Sequence, residues 1–177
     1  MSTQIVGLAQ PYAVVSPAAI AELLCAARRA PLRRARLCLH DGPDDPLHEM
    51  IIALCRDSYV APHRHQRKTE SFHMLAGEVD VVVFDDDGLP IASHTLSAEN
   101  PDIPRVMRLQ KSVWHSVLMR TEYAVIHEVT NGPFRKQDTE IAPWAADPDD
   151  ATAVARFRGD MSSKCRQPPA IHEANLL

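Results

Sequence analysis

The most informative stretch of this sequence reads PHRHQRKTE and runs from Pro62 to Glu70. Because side chains on a β-strand alternate between its two faces, His63 and His65 point the same way, separated by two residues of rise. At that separation two imidazoles can bind one ion. Glu70 lies beyond a four-residue turn, at the start of a returning strand, where its carboxylate comes back level with the histidine pair. The spacing therefore predicts three ligands of one metal site.

The fourth ligand is expected from a strand later in the chain, and the best candidate is His115 in KSVWHSV (111–117). Val117 and Met119 share its strand face and are apolar enough to line a barrel interior. Three histidines and a glutamate without thiolate suit one divalent transition metal, with iron, manganese, zinc, nickel and copper all open. A surface loop would explain any single histidine, but four residues in these positions favour a metal site.

Around this stretch the sequence has an all-β rhythm. From about 49 to 129, short runs rich in Val, Ile, Leu and Phe are separated by Pro, Gly and Asp. The run FDDDG (84–88) is typical of a hairpin turn. Strands are expected near 50–55, 59–65, 70–76, 78–84, 91–96, 105–109, 113–119 and 123–129. That many short strands predict a double-sheet jelly roll or a small barrel, whose interior can hold one ligand or metal.

The flanking segments differ from this rhythm. Ser16 and Pro17 predict the capped start of a helix that runs from about 17 to 29. A short strand near 35–40 follows, and a second helix is expected after Asp150, ending near Gly159. The stretch from 162 onward has no periodicity and is expected to be loosely held. We therefore expect an N-terminal helix and arm (1–45), a barrel (46–134) and a partly flexible C-terminal extension (135–177).

Composition narrows the class of partner. The longest apolar run, Met50–Cys55, is far shorter than the roughly 20 residues that cross a bilayer. A net charge of -4 and a pI near 6.1 favour neither nucleic acid nor an anionic membrane surface. The N-terminus does not have the pattern of a secretory signal, and the four cysteines have no CxxC spacing. We therefore expect a cytoplasmic protein whose partner is a small molecule.

The ligand spacing resembles that of the cupins. Their first motif runs HxH, three or four residues, Glu, six residues, Gly, and His63, His65, Glu70 and Gly77 match it. Their second motif usually reads Pro-x-Gly-x-x-His, of which His115 remains, with Gln110 and Ser112 in place of Pro and Gly. Asp57 likewise replaces the glycine that opens the first motif. These departures affect turns and leave every ligand in place, so the resemblance implies a cupin double-stranded β-helix.

A closer resemblance covers the chain from Pro17 to Trp144. The runs RARLCLH, SYVAPHRH, KTESFHMLAG, FDDDG and NGPF, followed by APW, are similar to the WbuC family of cupin-fold metalloproteins, named from bacterial surface-polysaccharide gene clusters. The resemblance implies the fold and a bound metal, and the first hypothesis for function is a metal-dependent enzyme acting on a small oxygen-rich metabolite such as a sugar derivative. Isomerisation, epimerisation, hydrolysis and oxygenation all stay open. The alternative is a non-catalytic metal- or sugar-binding regulatory module.

Several charged residues are candidates for substrate binding. Arg64, Arg67 and Lys68 surround the ligands and are expected to hold an anionic group at the barrel mouth, unless they form only a solvated turn. Arg34 and Arg36 precede the barrel and either fold over its opening or anchor the arm.

The remaining expectations concern catalysis and assembly. No catalytic residue is predicted outright, but Tyr123 and His127 are candidates if they face inward, whereas His73 is expected to face away from Glu70. Trp114 should lie opposite His115, in packing or a subunit interface. Because exposed sheet edges are usually paired or covered, a homodimer is expected.

Overall fold

The computed structural model describes residues 3–5 and 11–164 of the chain. It contains two helices, a single 3-10 turn (Lys136–Asp138) and eleven strands in these residues. The helices are α1 (Pro17–Arg29) and α2 (Ala151–Lys164). The strands are β1 (Thr3–Ile5), β2 (Arg34–Cys38), β3 (Leu47–Cys55), β4 (His63–His65), β5 (Glu70–Ala76), β6 (Glu78–Phe84), β7 (Pro90–Ser97), β8 (Val106–Leu109), β9 (Trp114–Met119), β10 (Tyr123–Asn131) and β11 (Thr139–Ile141).

The strands form two sheets. Their orders are β1-β2-β3-β10-β5-β8 in the first sheet and β11-β4-β9-β6-β7 in the second. Neighbouring strands are antiparallel, except that β1 runs parallel to β2. Consecutive strands repeatedly cross from one sheet to the other, which is the connectivity of a jelly roll. The all-β prediction is confirmed, although the strand expected at 59–65 begins only at His63.

The main core lies between the two sheets. It consists of Leu54, Phe72, Met74, Val79, Val81, Leu96, Leu109, Val117, Met119, Ala124 and Ile126. These residues define the inner faces of β3 and of β5 to β10, and their immediate neighbours in sequence lie on the outer faces. The metal-ligand candidates lie between the same two inner faces.

The two helices cover the outer faces of the sheets. Leu23 and Ala27 of α1 pack against Ile51, Ala53 and Val125 of the first sheet. In the same way α2 packs on the second sheet, where Met161 and Phe157 join the cluster around Phe84 and Trp114. Parts of both sheets are therefore buried on both faces, which explains why β9 is buried along its whole length.

The helix boundaries follow from their caps and apolar faces. Ser16 Oγ accepts a hydrogen bond from the backbone N–H of Ala19 at 3.2 Å, so α1 begins as predicted. The predicted end of α2 near Gly159 is wrong, because the helix continues to Lys164. Met161 extends the apolar face of Phe157 by one turn and is buried, so packing outweighs the low helix propensity of glycine.

Part of the predicted C-terminal extension belongs to the second sheet. Strand β11 pairs with β4 in the register Thr139↔His65 and Ile141↔His63. The segment after the barrel therefore braces the strand that carries two ligand candidates. The loose tail predicted from sequence lies, from residue 165 onward, outside the described residues, as do Cys165 and His172. None of the helices in the described part of the chain has the length and hydropathy needed to cross a membrane.

Candidate metal centre

The four predicted ligands come together between the two sheets. His63 and His65 lie on β4, and His115 on β9 is paired in register with His63. Glu70 begins β5 in the opposite sheet. One ligand atom from each of the four residues lies within 4.8 Å of all the others. The tertiary structure thus brings together residues up to 52 positions apart in the sequence, as the strand pattern predicted.

Hydrogen bonds orient all three imidazoles. The Nδ1 atoms of His63 and His115 lie 2.9 and 3.0 Å from the backbone carbonyl oxygens of Ala61 and Val113, to which they donate. His65 Nδ1 is 3.0 Å from the hydroxyl of Thr139 on β11. With each Nδ1 engaged, the Nε2 lone pairs remain for a ligand in the interior. Such outer contacts hold metal-binding histidines in one tautomer and orientation.

The contacts of Glu70 fit a bound cation. Its Oε1 lies 2.9 Å from His65 Nε2, and its Oε2 lies 3.1 Å from His115 Nε2. Both Glu70 Oε2 and His115 Nε2 are buried without a hydrogen-bond partner. Nδ1 of His115 already donates to a carbonyl, so a neutral His115 ring would turn its Nε2 lone pair toward Glu70. A metal ion between them would satisfy both atoms, so the residues fit the divalent metal that the cupin resemblance implies.

The charge states also suit metal binding. Burial and the nearby His115 lower the pKa of His63 to about 3, so its ring is neutral. Burial acts to raise the pKa of Glu70, but the imidazoles of His115 and His65 outweigh it and hold that pKa below its usual range. The cluster therefore offers the neutral imidazole of His63 and an ionised carboxylate, both of which are forms that bind metal ions.

Glu128 is a functional residue that sequence reasoning missed. It lies on β10 in alternation with the core residues Ala124 and Ile126, and therefore faces the interior. Burial and the negative charge of Glu70 raise its pKa to about 8, although Arg36, His115 and Lys68 act in the opposite direction. Burial therefore shifts this carboxyl group toward its protonated form. The alternation with Ala124 and Ile126 was the available signal.

Tyr123 and His127, the predicted catalytic candidates, lie on the other face of β10. Tyr123 packs against the cluster beneath α1. His127 Nε2 is 3.5 Å from Glu49 Oε1 on the outer surface of the first sheet. The interpretation that these residues face the site is corrected. Side chains alternate between the two faces of a strand, so Tyr123 and His127 point outward where Glu128 points inward.

The three charged residues expected at the barrel mouth, Arg64, Arg67 and Lys68, also lie on different sides of the barrel wall or in different surroundings. Arg64 lies between His63 and His65, so its side chain takes the opposite face, where it donates to Glu140 at 2.8 Å and stacks over Trp114 at 4.2 Å. Arg67 pairs with Asp138 at 2.7 Å. The structure therefore does not place Arg64 beside the ligands, and that expectation is corrected. Lys68, by contrast, is buried and only 5% exposed.

Arg34 and Arg36 lie on the inner face of β2, because their sequence neighbours Ala35 and Leu37 pack beneath α1 on the outer face. Arg34 Nη1 donates to the Tyr59 carbonyl at 3.4 Å, and burial lowers the pKa of Arg34. Arg36 Nη1 reaches the Met50 sulfur at 3.9 Å. These arginines belong to the barrel wall itself rather than to an arm folded across its opening.

Two further predicted positions agree with the structure. His73 is exposed on β5, on the face away from Glu70. Trp114 is buried against Trp144, Phe84 and the α2 cluster, and its Nε1 donates to Asp86 at 2.9 Å. Trp114 is therefore an intramolecular packing residue.

Comparisons with known proteins support the fold. Residues 15–96 match the family described as Domain of unknown function (DUF6016), and no curated protein matches the chain. Among solved structures, the chain is similar to an uncharacterized conserved protein with a double-stranded β-helix domain from Klebsiella pneumoniae subsp. pneumoniae. The identity is 12% and the TM-score 0.52, over 73% of this chain and 90% of that one.

Two other solved structures have printed functions. L-ribose isomerase of Cellulomonas parahominis is 17% identical with a TM-score of 0.50, over 65% of this chain and 72% of that chain. The capsular polysaccharide assembling protein CapF of Staphylococcus aureus is 16% identical with a TM-score of 0.51, over 60% of this chain but only 29% of CapF. At these identities the likeness shows the fold alone. The chain therefore has the double-stranded β-helix fold of the cupins, with a histidine and glutamate cluster that can hold a metal.

Proposed function

We propose that this chain is a metal-dependent enzyme of the WbuC type that acts on a small oxygen-rich metabolite, such as a sugar derivative in surface-polysaccharide biosynthesis. The proposal depends above all on the convergence of three oriented imidazoles on Glu70, with two buried ligand atoms left unpaired. A divalent ion held by His63, His65, Glu70 and His115 would polarise a carbonyl or hydroxyl oxygen of the substrate when bound.

Glu128 supports proton-transfer chemistry within this proposal. A carboxyl group whose pKa lies near the working pH can both give and take a proton efficiently. Isomerisation and epimerisation need such a group beside the metal, whereas a non-catalytic binding module does not. The inward position of Glu128 therefore favours an isomerase or epimerase over the regulatory module.

The named structural neighbours are compatible with this class. One is an L-ribose isomerase and another assembles capsular polysaccharide. Because their likeness to this chain extends to the fold alone, they suggest probes for the assay and no particular substrate.

The direct test is proton exchange at carbon. Metal-loaded protein would be incubated in deuterated water with L-ribose, D-glucuronate and D-glucose 6-phosphate, and proton NMR would follow loss of the signal next to the carbonyl carbon. We expect exchange with at least one probe, and Glu128→Gln should slow it by about 10²- to 10⁴-fold while metal content stays unchanged.

His127→Gln is the matched control, because His127 is adjacent in sequence but on the outer face. Its exchange rate should equal that of the wild type. If Glu128→Gln exchanged the proton as fast as the wild type does, Glu128 would have no role in proton transfer. Absence of exchange from all three probes by fully metal-loaded protein would favour the binding module.

We also propose that the protein is a homodimer. The outer faces of β5 and β8 expose Leu75 (39%) and Val106 (58%) beyond the area that α1 covers. A second copy would bury these side chains and the edge strand β8. Light scattering at micromolar concentration should report twice the chain mass, and Leu75→Lys should halve it. Leu89→Lys, at a more exposed leucine (59%) in the β6–β7 turn, is the control, and a monomeric wild type contradicts the proposal.

A further inference from the structure

Polar side chains continue from the metal ligands across the inner face of the first sheet. Thr130 on β10 is paired with Glu70 on one side and with His48 of β3 on the other. Glu128 lies two residues before Thr130 on the same face. We call the set formed by Lys68, His48, Thr130, Glu128 and Arg36 the inner polar cluster.

Two members of the inner polar cluster have buried polar atoms without partners. His48 Nε2 and Thr130 Oγ1 are both inaccessible and make no hydrogen bond. His48 stacks on His40 with ring centroids 4.1 Å apart, so its ring is held in place. Because an unpaired buried polar group costs free energy, adjacent unpaired groups indicate a missing ligand. An imidazole nitrogen and a hydroxyl suit a hydroxyl group on that ligand.

Lys68 is buried and makes no direct ion pair among the described residues. Its ammonium group lies 5.5 Å from the centroid of the Phe134 ring, and burial lowers the pKa of Lys68 although Asp138, Glu70 and Glu128 act in the opposite direction. Its sequence neighbour Arg67 has a 66% exposed side chain and is paired with Asp138. Burial of an incompletely compensated charge is costly, so a buried lysine without a salt bridge favours an anionic ligand.

The charges in the interior also favour an anionic ligand. Arg34, Arg36 and Lys68 bring three cations to the inner face, while Glu70 brings one ionised carboxylate. Glu128 brings a second carboxyl group, so the cations still outnumber the carboxyl groups. A divalent metal ion would add further positive charge. The interior therefore carries excess positive charge that a bound anion would offset.

We propose that the inner polar cluster anchors the substrate, with Lys68 binding a carboxylate or phosphate group and Thr130 and His48 binding an adjacent hydroxyl. The substrate class is therefore a small hydroxylated anion, either a hydroxy acid or a phosphate ester. This inference deepens the proposed function and rests on it, since the anchored molecule would extend toward the metal ligands from Thr130, the neighbour of Glu70.

The test compares charged probes with a neutral counterpart. Melting temperature would be measured against increasing D-glucuronate, D-glucose 6-phosphate, inorganic phosphate and D-glucose, in metal-loaded and in chelator-treated protein. We expect a charged sugar to raise the melting temperature where D-glucose does not. Lys68→Met should weaken the apparent affinity for it at least tenfold and leave metal content unchanged. Arg67→Met, one residue away and equally charged, should bind as the wild type does.

Thr130→Val supplies a second readout. It removes the unpaired hydroxyl with little change in shape, so it should weaken binding of the charged sugar but not of inorganic phosphate. Charged probes that bind no better than D-glucose, or a Lys68→Met response equal to that of the wild type, would overturn the inference. An anion response in protein that takes up no metal would keep the anchoring cluster and reject the proposed metalloenzyme.

Discussion

Replacing His65 or His115 with alanine is expected to abolish stoichiometric metal binding, whereas the wild type should purify with close to one transition-metal ion per chain. Both side chains direct Nε2 at the Glu70 carboxylate, at 2.9 and 3.1 Å. Loss of a residue that only orients a ligand costs about 10- to 100-fold in metal affinity, so loss of a ligand should cost more than about 100-fold. Elemental analysis after native purification, followed by zinc titration of chelator-treated protein, measures both quantities.

His73→Ala is the matched control for this experiment. His73 is also a strand histidine, but it is exposed on the outer face of β5, away from Glu70. It should retain full metal occupancy. Equal losses from all three variants would show that the strand faces are assigned wrongly. A wild type that binds no metal even after supplementation during expression would remove the metal site altogether.

Gly77→Ala is expected to destabilise the fold strongly while leaving the site residues intact. Gly77 has φ of +73°, a left-handed conformation that L-residues rarely adopt. A Cβ built there would lie 2.6 Å from Thr121 Oγ1 and closer still to the Tyr123 carbonyl oxygen. Because backbone must move to relieve that contact, we expect the free energy of unfolding to fall by about 3 kcal/mol or more. Thermal unfolding should show a melting temperature lower by about 6–12 °C.

Gly159→Ala provides a control of opposite sign. Gly159 lies within α2, and nothing stands within 4 Å of a Cβ built there. Alanine should therefore stabilise the helix by about 0.5–1 kcal/mol. If both substitutions lowered the melting temperature equally, the close approach of the backbone at Gly77 would not be the cause.

The sequence alone predicted the ligand candidates and the all-β class. Alternation on a strand puts His63 and His65 on one face wherever that strand lies, and a short turn returns Glu70 beside them. These relations are local, so they hold before any tertiary contact is known. The position of His115 came from spacing and an apolar strand face, and the register pair His63↔His115 is consistent with that reasoning.

Which face of each strand is the inner one was decided only by the tertiary structure. On β10 the run AVI is apolar on both faces, since α1 covers Val125 from outside while Ala124 and Ile126 enter the core. The sequence of β10 therefore does not show which face is the inner one. For this reason Tyr123 and His127 were predicted as catalytic candidates, although Glu128 is the residue that faces the site. On β2 the same helix covers Ala35 and Leu37, which turns two arginines into the interior.

The partners of the charged mouth residues were likewise set by contacts distant in sequence. Arg64 pairs with Glu140 of β11, and Arg67 pairs with Asp138, which immediately precedes β11. Lys68 makes no direct ion pair among the described residues, although Asp138, Glu70 and Glu128 act on its charge, and it remains buried. Strand periodicity determines which residues share a face, because it is a property of the local backbone. Which of those faces meets the metal, solvent or a helix depends on the packing of the whole chain.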